Sequence, residues 1–418
     1  MAFTLNRRRH RLHFGSANSH HPKICPGQRV FKMAMVVGSS SLRRKAALIG
    51  LCLLTAFSSL AWGGSGRFLG AAQGASNQFQ GGLGTSAPTP DSRGGTVIAT
   101  VPVGNGPWGV GFDRGNGYAY VANSGSNTTT VISGTTVVAT VSVESFPLGV
   151  GYDSGNGYIY VANLYSTNVS VISGTTVVAT IPVGNGPVGV AYDSRNGYVY
   201  VANEGSHRVT VISGTTVVAT IPVGTLPSSV AYDSGNGYVY VANSYSNNVS
   251  VINGTTIVAT IAVGILPYSV AYDSENGYVY VANANSKNVT VISETTVVAS
   301  IAVESNPLGV GYDSGNGYVY VANSYSNNVS VISGIAVIGT IPVGHDPRGV
   351  GYDSGHGYVY VTNWGSNTVS VIATLESPAP PSIFGLDPWV FYSTVGGIVG
   401  FVAIASTWFV LRKRKRRP

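Results

Sequence analysis

The sequence predicts an all-β protein: a seven-bladed β-propeller of forty-residue, four-stranded blades, plus one C-terminal transmembrane helix. The first observation behind this prediction is the motif GYVYVAN, which recurs seven times with small variations and at a constant spacing. The second is that each forty-residue interval contains four short strand candidates separated by turn signals. The third is an uncharged stretch of 23 residues near the C-terminus. A fixed period indicates that the repeats form one body. The copies end at Asn123, Asn163, Asn203, Asn243, Asn283, Asn323 and Asn363.

Residues 1–61 have the features of a basic leader and signal peptide. A cluster of arginines and a lysine precedes an apolar run over residues 46–60, and small residues up to Ala61 suit cleavage. The apolar run is short for a membrane span. Translation that starts at Met33 or Met35 and an extended leader from residue 1 both fit this pattern.

Residues 62–95 are rich in Gly, Ser and Ala and predict a flexible spacer before a propeller over residues 96–374. Between the second and third strands of each repeat, Asn-Gly or a similar pair predicts a tight hairpin with positive backbone angles, as at Asn196-Gly197. These hairpins favour antiparallel sheets over a β-helix, whose coils are parallel. In the third repeat the predicted strands are 176–183, 189–193, 198–201 and 209–212.

The phase of the repeats predicts how the ring closes. The TVVATIPV-like strand also occurs seven times, but its first copy, residues 96–103, precedes the first blade, and no copy follows the last one. We therefore expect residues 96–103 to supply the outer strand of the seventh blade. This pairing would also cover an open sheet edge.

The region after the propeller predicts a membrane anchor. Residues 375–388 are proline-rich and predict a stalk. The stretch from Trp389 to Leu411 (389–411) would be about 34 Å long as a helix, against a hydrocarbon core of about 30 Å. Basic residues 412–418 follow and predict a cytoplasmic tail. We thus expect the propeller to lie outside the plasma membrane, at the cell surface.

The net charge of +7 arises outside the repeats. Ten of the 23 Lys and Arg residues lie in residues 1–45 and six in residues 412–417, whereas residues 96–374 carry five against thirteen Asp and Glu. The repeat region is therefore acidic, which disfavours a nucleic-acid partner. Both cysteines, Cys25 and Cys52, precede the repeats, so the repeats contain no thiol chemistry.

The seventh copy, GYVYVTN, contains the sequence Tyr360-Val361-Thr362-Asn363. With the flanking pattern PxGVAYD, NVSVI and TVVATI, residues 96–374 resemble the YVTN-type β-propeller repeats of archaeal surface-layer proteins. The other six copies end in YVAN and depart by one residue. The resemblance implies a seven-bladed propeller at the cell surface, and it brings no defined catalytic residues.

Each repeat carries one aspartate at the end of its second predicted strand. Seven carboxylates in a ring could bind calcium. Alternatively, each carboxylate accepts backbone N–H bonds inside its own D-x-x-N-G turn. We favour the turn interpretation, because an element that every blade shares is more simply part of the fold. The aspartates are Asp113, Asp153, Asp193, Asp233, Asp273, Asp313 and Asp353.

The repeats contain no catalytic motif. There is no H-E-x-x-H, G-x-S-x-G or Walker sequence, and the three histidines of the repeats fall in different blades. The best polar cluster is His345 with Asp346 and Arg348. We therefore predict a protein that is not an enzyme, with no catalytic or cofactor-binding residues.

Variation between the copies is concentrated in two connections, before the conserved proline and after YVAN. In an up-and-down blade these connections share one face, and exposed apolar residues there predict a recognition surface. Neutral drift of unconstrained loops is the alternative. The candidate binding-face residues are Trp108, Phe146, Leu148, Leu164, Tyr165, Leu226, Tyr245, Ile265, Leu266, Tyr268, Tyr325, Arg348 and Trp364.

The predicted function is binding, adhesion or envelope assembly at the cell surface, with a protein or glycan ligand. The alternative is an extracytoplasmic propeller enzyme, a hydrolase, lyase or quinone-dependent dehydrogenase, with an axial active site. N-glycosylation acceptors occur at Asn127, Asn168, Asn248, Asn253, Asn288 and Asn328.

Overall fold

The structure, a computed structural model, describes residues 94–374, and all structural statements concern that part of the chain. The predicted leader and signal peptide, nearly all of the spacer, the stalk, the helix over 389–411 and the basic tail lie outside it. No helix within residues 94–374 is long and apolar enough to cross a membrane. The described residues form 28 strands and two single-turn 3₁₀ helices, Glu204–Ser206 and Ser324–Ser326.

The strands follow one another along the chain with short connections. They are β1 (Thr96–Pro102), β2 (Pro107–Asp113), β3 (Tyr118–Asn123), β4 (Thr128–Ser133), β5 (Thr136–Ser142), β6 (Pro147–Asp153), β7 (Tyr158–Asn163), β8 (Asn168–Ser173), β9 (Thr176–Pro182), β10 (Pro187–Asp193), β11 (Tyr198–Asn203), β12 (Arg208–Ser213), β13 (Thr216–Pro222), β14 (Pro227–Asp233), β15 (Tyr238–Asn243), β16 (Asn248–Asn253), β17 (Thr256–Ala262), β18 (Pro267–Tyr272), β19 (Tyr278–Asn283), β20 (Asn288–Ser293), β21 (Thr296–Ala302), β22 (Pro307–Asp313), β23 (Tyr318–Asn323), β24 (Asn328–Ser333), β25 (Ala336–Pro342), β26 (Pro347–Asp353), β27 (Tyr358–Asn363) and β28 (Thr368–Ala373).

These strands form seven four-stranded sheets, which are the blades of a propeller. Blades 1 to 6 each use four consecutive strands, beginning with β2, β6, β10, β14, β18 and β22, and blade 7 is built from β26, β27, β28 and β1. Neighbouring strands within a blade are antiparallel, as in blade 3. The inner strand β2 packs against the inner strands of both neighbouring blades, β6 and β26, so the ring is closed. The predicted seven-bladed, all-β fold is confirmed.

Ring closure follows the phase of the repeats. Strand β1 pairs with β28 antiparallel, from Thr96 opposite Ala373 to Pro102 opposite Thr368. The N-terminal strand therefore completes the blade that the C-terminal repeat leaves one strand short, as the sequence predicted.

The outer strand of every blade has one open edge, and each carries a β-bulge at the same position. In blade 3 the register shifts where Val211 faces Ala219 and Ile212 faces Val217, so Val218 is the extra residue. The same shift follows Val97 in β1. A bulge twists an edge strand and makes it a poor template for another chain, which protects the open edges from aggregation.

The third repeat shows how closely the sequence places the strands. The predicted ranges are all within two residues of β9, β10, β11 and β12 at each end. The hairpin between β10 and β11 differs in its geometry, because only Gly197 has a positive φ, of 76°, and Asn196 does not. The turn closes through the Gly197 N–H, which donates to the carbonyl of Asp193 over 2.9 Å. A longer loop of this kind needs one left-handed residue and not two.

The core lies between the blades. In blade 3, Tyr200, Val209 and Val211 pack against Val239 and Val241 of blade 4, and all of these side chains are fully buried. Burial of each large apolar side chain contributes about 1.5–3 kcal/mol. The motif that dominates the sequence is therefore the packing layer that joins one blade to the next.

The buried tyrosine of this motif also makes a polar contact between blades. The Tyr200 hydroxyl accepts a bond of 3.0 Å from the Asn196 side chain and donates one of 2.8 Å to the carbonyl of Gly254 in the next blade. A buried hydroxyl is costly unless it is hydrogen-bonded, and here both its donor and one acceptor site are used. Each blade is thus locked to its neighbour by one phenol.

Candidate functional site

The propeller presents two faces with different loops. The side that carries the loops before each inner strand, such as 183–186, and the turns between the second and third strands, such as 204–207, is called the upper face. The lower face carries the hairpins after the inner and third strands, such as 194–197 and 214–215. The upper face contains the connections that differ between the copies.

Five of the predicted binding-face residues are exposed on the upper face. Tyr165, Tyr245 and Tyr325 expose 68%, 72% and 77% of their surface, and Ile265 and Trp364 expose 56% and 40%. The partly buried members of the set are Trp108, Phe146, Leu164, Leu226, Leu266, Tyr268 and Arg348. One expectation was wrong: Leu148 is only 3% exposed, because it lies on the inner strand β6 and faces the axial channel.

The three most exposed tyrosines occupy equivalent turns in blades 2, 4 and 6. In blade 4 the Tyr245 N–H donates to the carbonyl of Thr225, and the Thr225 N–H donates to the Ser246 hydroxyl over 2.8 Å. The turns of Tyr165 and Tyr325 have the same pair of hydrogen bonds to the preceding loop. Each phenol ring therefore projects from a backbone that is fixed on both sides.

A cationic side chain is held between two indoles at the mouth of the axial channel. The guanidinium carbon of Arg348 lies 4.2 Å from the centre of the Trp108 ring and 4.4 Å from that of Trp364. Its Nη2 and Nε atoms donate to the Asp346 carboxylate over 2.7 and 3.3 Å. Asp346 is in turn hydrogen-bonded to Ser324 of the preceding blade. Stacking and ion pairing together fix the guanidinium in one orientation.

An aromatic pair lies over the upper end of the channel. The ring centres of Trp108, in blade 1, and Tyr268, in blade 5, are 6.3 Å apart. Burial, helped by the nearby carboxylate of Glu204, raises the pKa of Tyr268 to about 12, although Arg348 opposes the rise. The phenol is therefore neutral at neutral pH and available as a hydrogen-bond donor.

The carboxyl of Glu204 is the acidic group that raises the pKa of Tyr268 in this aromatic pair. Burial raises the pKa of Glu204, and the neighbouring His207 partly offsets the rise. The His207 ring itself accepts a hydrogen bond of 3.1 Å from the Leu226 N–H through Nδ1. Glu204 lies in a turn whose residues vary between the blades, so the repeat pattern does not indicate its position.

Below the mouth lies a cavity of about 240 Å³ in the axial channel. Its wall consists of the three residues that follow the conserved proline in each inner strand. The second of the three residues is glycine or serine, and the third is always valine. The first differs between the blades: it is Trp108, Leu148, Val188, Ser228, Tyr268, Leu308 or Arg348. Among the described residues lining this cavity there is no His, Asp, Glu or Cys. The cavity can bind an apolar group, but its side chains offer little for acid–base catalysis.

A second cavity, of about 470 Å³, opens on the lower face. It is lined by a ring of tyrosines and serines with Phe112 and Arg114. Each of these tyrosines lies near the aspartate of the preceding blade, as Tyr152 does near Asp113, and burial together with this carboxyl raises the tyrosine pKa. The tyrosines are Tyr152, Tyr192, Tyr232, Tyr272, Tyr312 and Tyr352.

The predicted ring of aspartates is buried behind these tyrosines. Asp113 accepts the N–H groups of Gly115 and Asn116 over 2.7 and 3.3 Å, and the other copies make the same kind of contact. These are the bonds that the turn interpretation predicts. Within residues 94–374 no three His, Cys, Asp or Glu side chains come together as a set of metal ligands.

The sevenfold pattern of the lower face is broken where blade 7 meets blade 1. Phe112 replaces the tyrosine that would reach Asp353, and His356 replaces the asparagine of the other turns. The Asp353 carboxylate pairs instead with Nδ1 of His356 at 2.8 Å and with the Tyr360 hydroxyl at 3.1 Å. The sequence carried a signal for this pair, namely two exceptions at positions where the other copies agree.

The polar cluster predicted around His345 is only partly assembled. Arg348 and Asp346 form the ion pair described above, whereas the side chain of His345 is exposed and the structure gives it no hydrogen bond within residues 94–374. The His345 N–H donates to the Ser366 hydroxyl over 3.1 Å. His345, Asp346 and Arg348 thus do not form a nucleophile–base arrangement.

Four of the predicted glycosylation acceptors accept a hydrogen bond from a buried asparagine amide. The buried amide of Asn163 donates to Oδ1 of Asn168 over 2.9 Å and to the hydroxyl of Ser170 over 3.0 Å, so both ends of the N-x-S motif satisfy one buried group. Asn248, Asn288 and Asn328 make the same bond. Asn127 accepts the Phe146 N–H, and Asn253 is exposed in a lower-face hairpin.

Comparisons with known proteins support the fold. An NHL repeat model matches residues 185–212. Among solved structures, Kuenenia stuttgartiensis hydrazine synthase is similar at 19% identity and a TM-score of 0.59, over 65% of this chain and 96% of that one. Selenomethionine-substituted virginiamycin B lyase from Staphylococcus aureus is similar at 11% identity and a TM-score of 0.59, over 66% and 99%. A streptogramin B lyase structure is similar at 12% identity and a TM-score of 0.58, over 66% and 97%. No curated protein matches the sequence.

At these identities the likeness to solved structures concerns the fold alone. Together with the NHL match, it establishes a β-propeller repeat protein. The neighbours named above are enzymes.

Proposed function

We propose that this protein is a cell-surface propeller that binds a protein or glycan ligand through its upper face. The export and anchoring part of the proposal is supported by the sequence: the apolar run over 46–60, and the stretch from Trp389 to Leu411 with its basic tail. The resemblance of the repeats to YVTN-type surface-layer propellers supports a role in adhesion or envelope assembly.

The observation that carries the proposal is the set of exposed phenols on rigid turns. Large aromatic side chains are enriched at recognition surfaces, because they bury much area at a low cost in conformational entropy. Tyr165, Tyr245 and Tyr325 recur in alternate blades on one face, and Trp364 is exposed beside them in blade 7. Rings spaced around a disc suit a ligand with repeating units, such as a glycan whose sugar rings stack on the phenols.

The test is binding of the purified full chain to a glycan array and to envelope proteins, with and without calcium. The triple variant Tyr165→Ala, Tyr245→Ala, Tyr325→Ala should lose most of the binding. Its matched control is Ile335→Ala, which removes a side chain that is 61% exposed on the lower face. Equal binding by the triple variant and the control would refute the proposal, and a need for calcium would reopen the question of the aspartate ring.

An extracytoplasmic propeller enzyme with an axial active site is the second candidate. The observation in its favour is that the solved structures named above are a hydrazine synthase and lyases. Against it, the described lining of the upper cavity offers only Tyr268, Arg348 and serine hydroxyls as reactive groups. A turnover assay with wild type and Tyr268→Phe would support this candidate only if activity depended on the phenol.

A further inference from the structure

The upper cavity is a small chamber whose wall combines apolar side chains with serine hydroxyls and exposed backbone. Leu148, Val188 and Leu308 are each less than a tenth exposed and form its upper rim together with Ser228. The valines below them complete an apolar wall, and the glycines between expose backbone only. Ligand pockets are commonly about 300–1,000 Å³, so a chamber of about 240 Å³ suits a ligand below that size class.

The one charged side chain among the described residues of this wall is Arg348. Its Nε and Nη2 atoms are engaged by Asp346, but Nη1 has no hydrogen-bond partner within residues 94–374. The indoles of Trp108 and Trp364 prevent the guanidinium from turning away from this position. A fixed guanidinium with free N–H groups is a site for an anionic oxygen.

A second donor lies on the same rim. The phenol of Tyr268 lines the cavity, and its hydroxyl has no hydrogen-bond partner in the described part of the chain. The raised pKa of Tyr268, about 12, means that the hydroxyl keeps its proton at neutral pH. Neither donor is fully buried, so an oxygen of a ligand at this rim would take the place of water on both.

We propose that the upper channel cavity binds a small carboxylic acid with an apolar body, of the aromatic or branched aliphatic class. The apolar body lies against Leu148, Val188 and Leu308, and the carboxylate accepts hydrogen bonds from Nη1 of Arg348 and the hydroxyl of Tyr268. The site is separate from the exposed tyrosines of the upper face, and the proposal does not depend on the function proposed above.

The chemistry of the wall selects this ligand class over others. A neutral apolar molecule would leave the free donor of Arg348 without a partner, which a carboxylate oxygen supplies. A bis-anion would bring a second negative charge close to the carboxylates of Asp346 and Glu204, against the one guanidinium of Arg348. A monocarboxylate balances the remaining donors without a second charge.

The experiment is titration of the purified full chain with benzoate and with isovalerate, by calorimetry and by tryptophan fluorescence, since Trp108 lines the cavity. Benzamide is the neutral analogue of benzoate and should bind more weakly. Arg348→Gln should weaken binding of the acids by about tenfold or more, as expected for loss of a charge-assisted hydrogen bond. Arg208→Gln, an exposed arginine of the same face, should leave binding unchanged.

A second variant keeps the proposal testable if Arg348→Gln is unstable. Val188→Phe fills the chamber from its wall and should abolish binding of both acids while circular dichroism reports an intact propeller. Absence of saturable binding by either acid, or equal binding by wild type, Arg348→Gln and Val188→Phe, would overturn the proposal. The triple tyrosine variant should bind both acids as wild type does, which separates this test from that of the upper face.

Discussion

The phenol of Tyr320 donates a hydrogen bond of 2.7 Å to the carbonyl oxygen of Gly94, a residue 226 positions earlier in the chain. In blade 1 the equivalent Tyr120 reaches Gly174, in the outer hairpin of the next blade. Blade 7 has no such hairpin, because its outer strand comes from the N-terminal end of the propeller. The backbone just before β1 thus takes over the acceptor that a continuous blade would provide.

Replacement of Tyr320 by Phe should lower the free energy of unfolding by about 1–3 kcal/mol, the cost of leaving buried partners unsatisfied. Both the Gly94 carbonyl and the Asn316 amide, which donates to the same hydroxyl over 2.9 Å, lose their partner. Urea denaturation of the full chain measures the effect. Tyr318→Phe is the control, since that half-buried side chain has no hydroxyl bond within residues 94–374. Equal losses of stability in the two variants would contradict the role of the hydrogen bond between Tyr320 and Gly94.

Replacement of Gly149 by Ala should destabilise the propeller by about 1–3 kcal/mol, as expected for overpacking. A Cβ atom at Gly149 would overlap the carbonyl oxygen of Val188 in the next inner strand. Ser229 occupies the equivalent position in blade 4, where its hydroxyl accepts the Val270 N–H over 3.3 Å. Ser229→Ala should therefore cost less than Gly149→Ala. Thermal unfolding of both variants decides, and the opposite order would show that the inner ring is adaptable.

Replacement of Glu294 by Gly should stabilise the protein by about 1 kcal/mol, because a side chain in the left-handed region is strained by about 1–2 kcal/mol. Glu294 has a φ of 53° in the lower-face hairpin of blade 5, where blade 3 has Gly214 with a φ of 57°. The Tyr240 hydroxyl donates to the backbone carbonyl of Glu294, so this hydrogen bond between blades does not need the side chain of Glu294. The reverse change, Gly214→Glu, should destabilise by a similar amount in denaturant titrations.

Asp273 should reduce stability at neutral pH and do so less as the pH falls. Burial raises the pKa of its carboxyl above the usual value, although the N–H groups of Glu275 and Asn276 oppose the rise. The folded state therefore holds the proton more tightly than the unfolded chain, so this contribution to stability is present at low pH and is lost as the pH rises through the raised pKa. The melting temperature of Asp273→Asn relative to that of wild type should be highest at pH 7 and should fall towards pH 4. A constant difference across this range would exclude the carboxyl as its source.

The fold could be predicted because every copy of the repeat has the same pattern of strands and turns. Strand length, hairpin position and the buried tyrosine recur without insertion, and the unpaired strand at 96–103 indicated how the ring closes. The geometry of the hairpin at Asn196 could not be predicted, since Asn-Gly serves both two-residue and longer loops.

Less of the candidate site could be predicted from the sequence. Leu148 follows a variable loop in the sequence, which indicates exposure, but in the structure it is the first residue of an inner strand that lines the cavity. The contact between Trp108 and Tyr268 joins blades 1 and 5 across the channel, and its distance is set by the diameter of the ring. The pair of Asp353 and His356 left a trace in the sequence, because Phe112 and His356 depart together from positions that the other copies share.

The pairing of β1 with β28 also determines how the propeller carries mechanical load. A pull on the chain beyond Thr374 enters through β28, which is held by β27 on one side and β1 on the other, so two hydrogen-bond ladders must shear together. A pull before Gly94 enters through β1, which is held by one ladder and can be peeled from Thr96 onward. A tether at the C-terminal end is therefore the stronger attachment, and tension at the N-terminal end would strip the outer strand from blade 7 first.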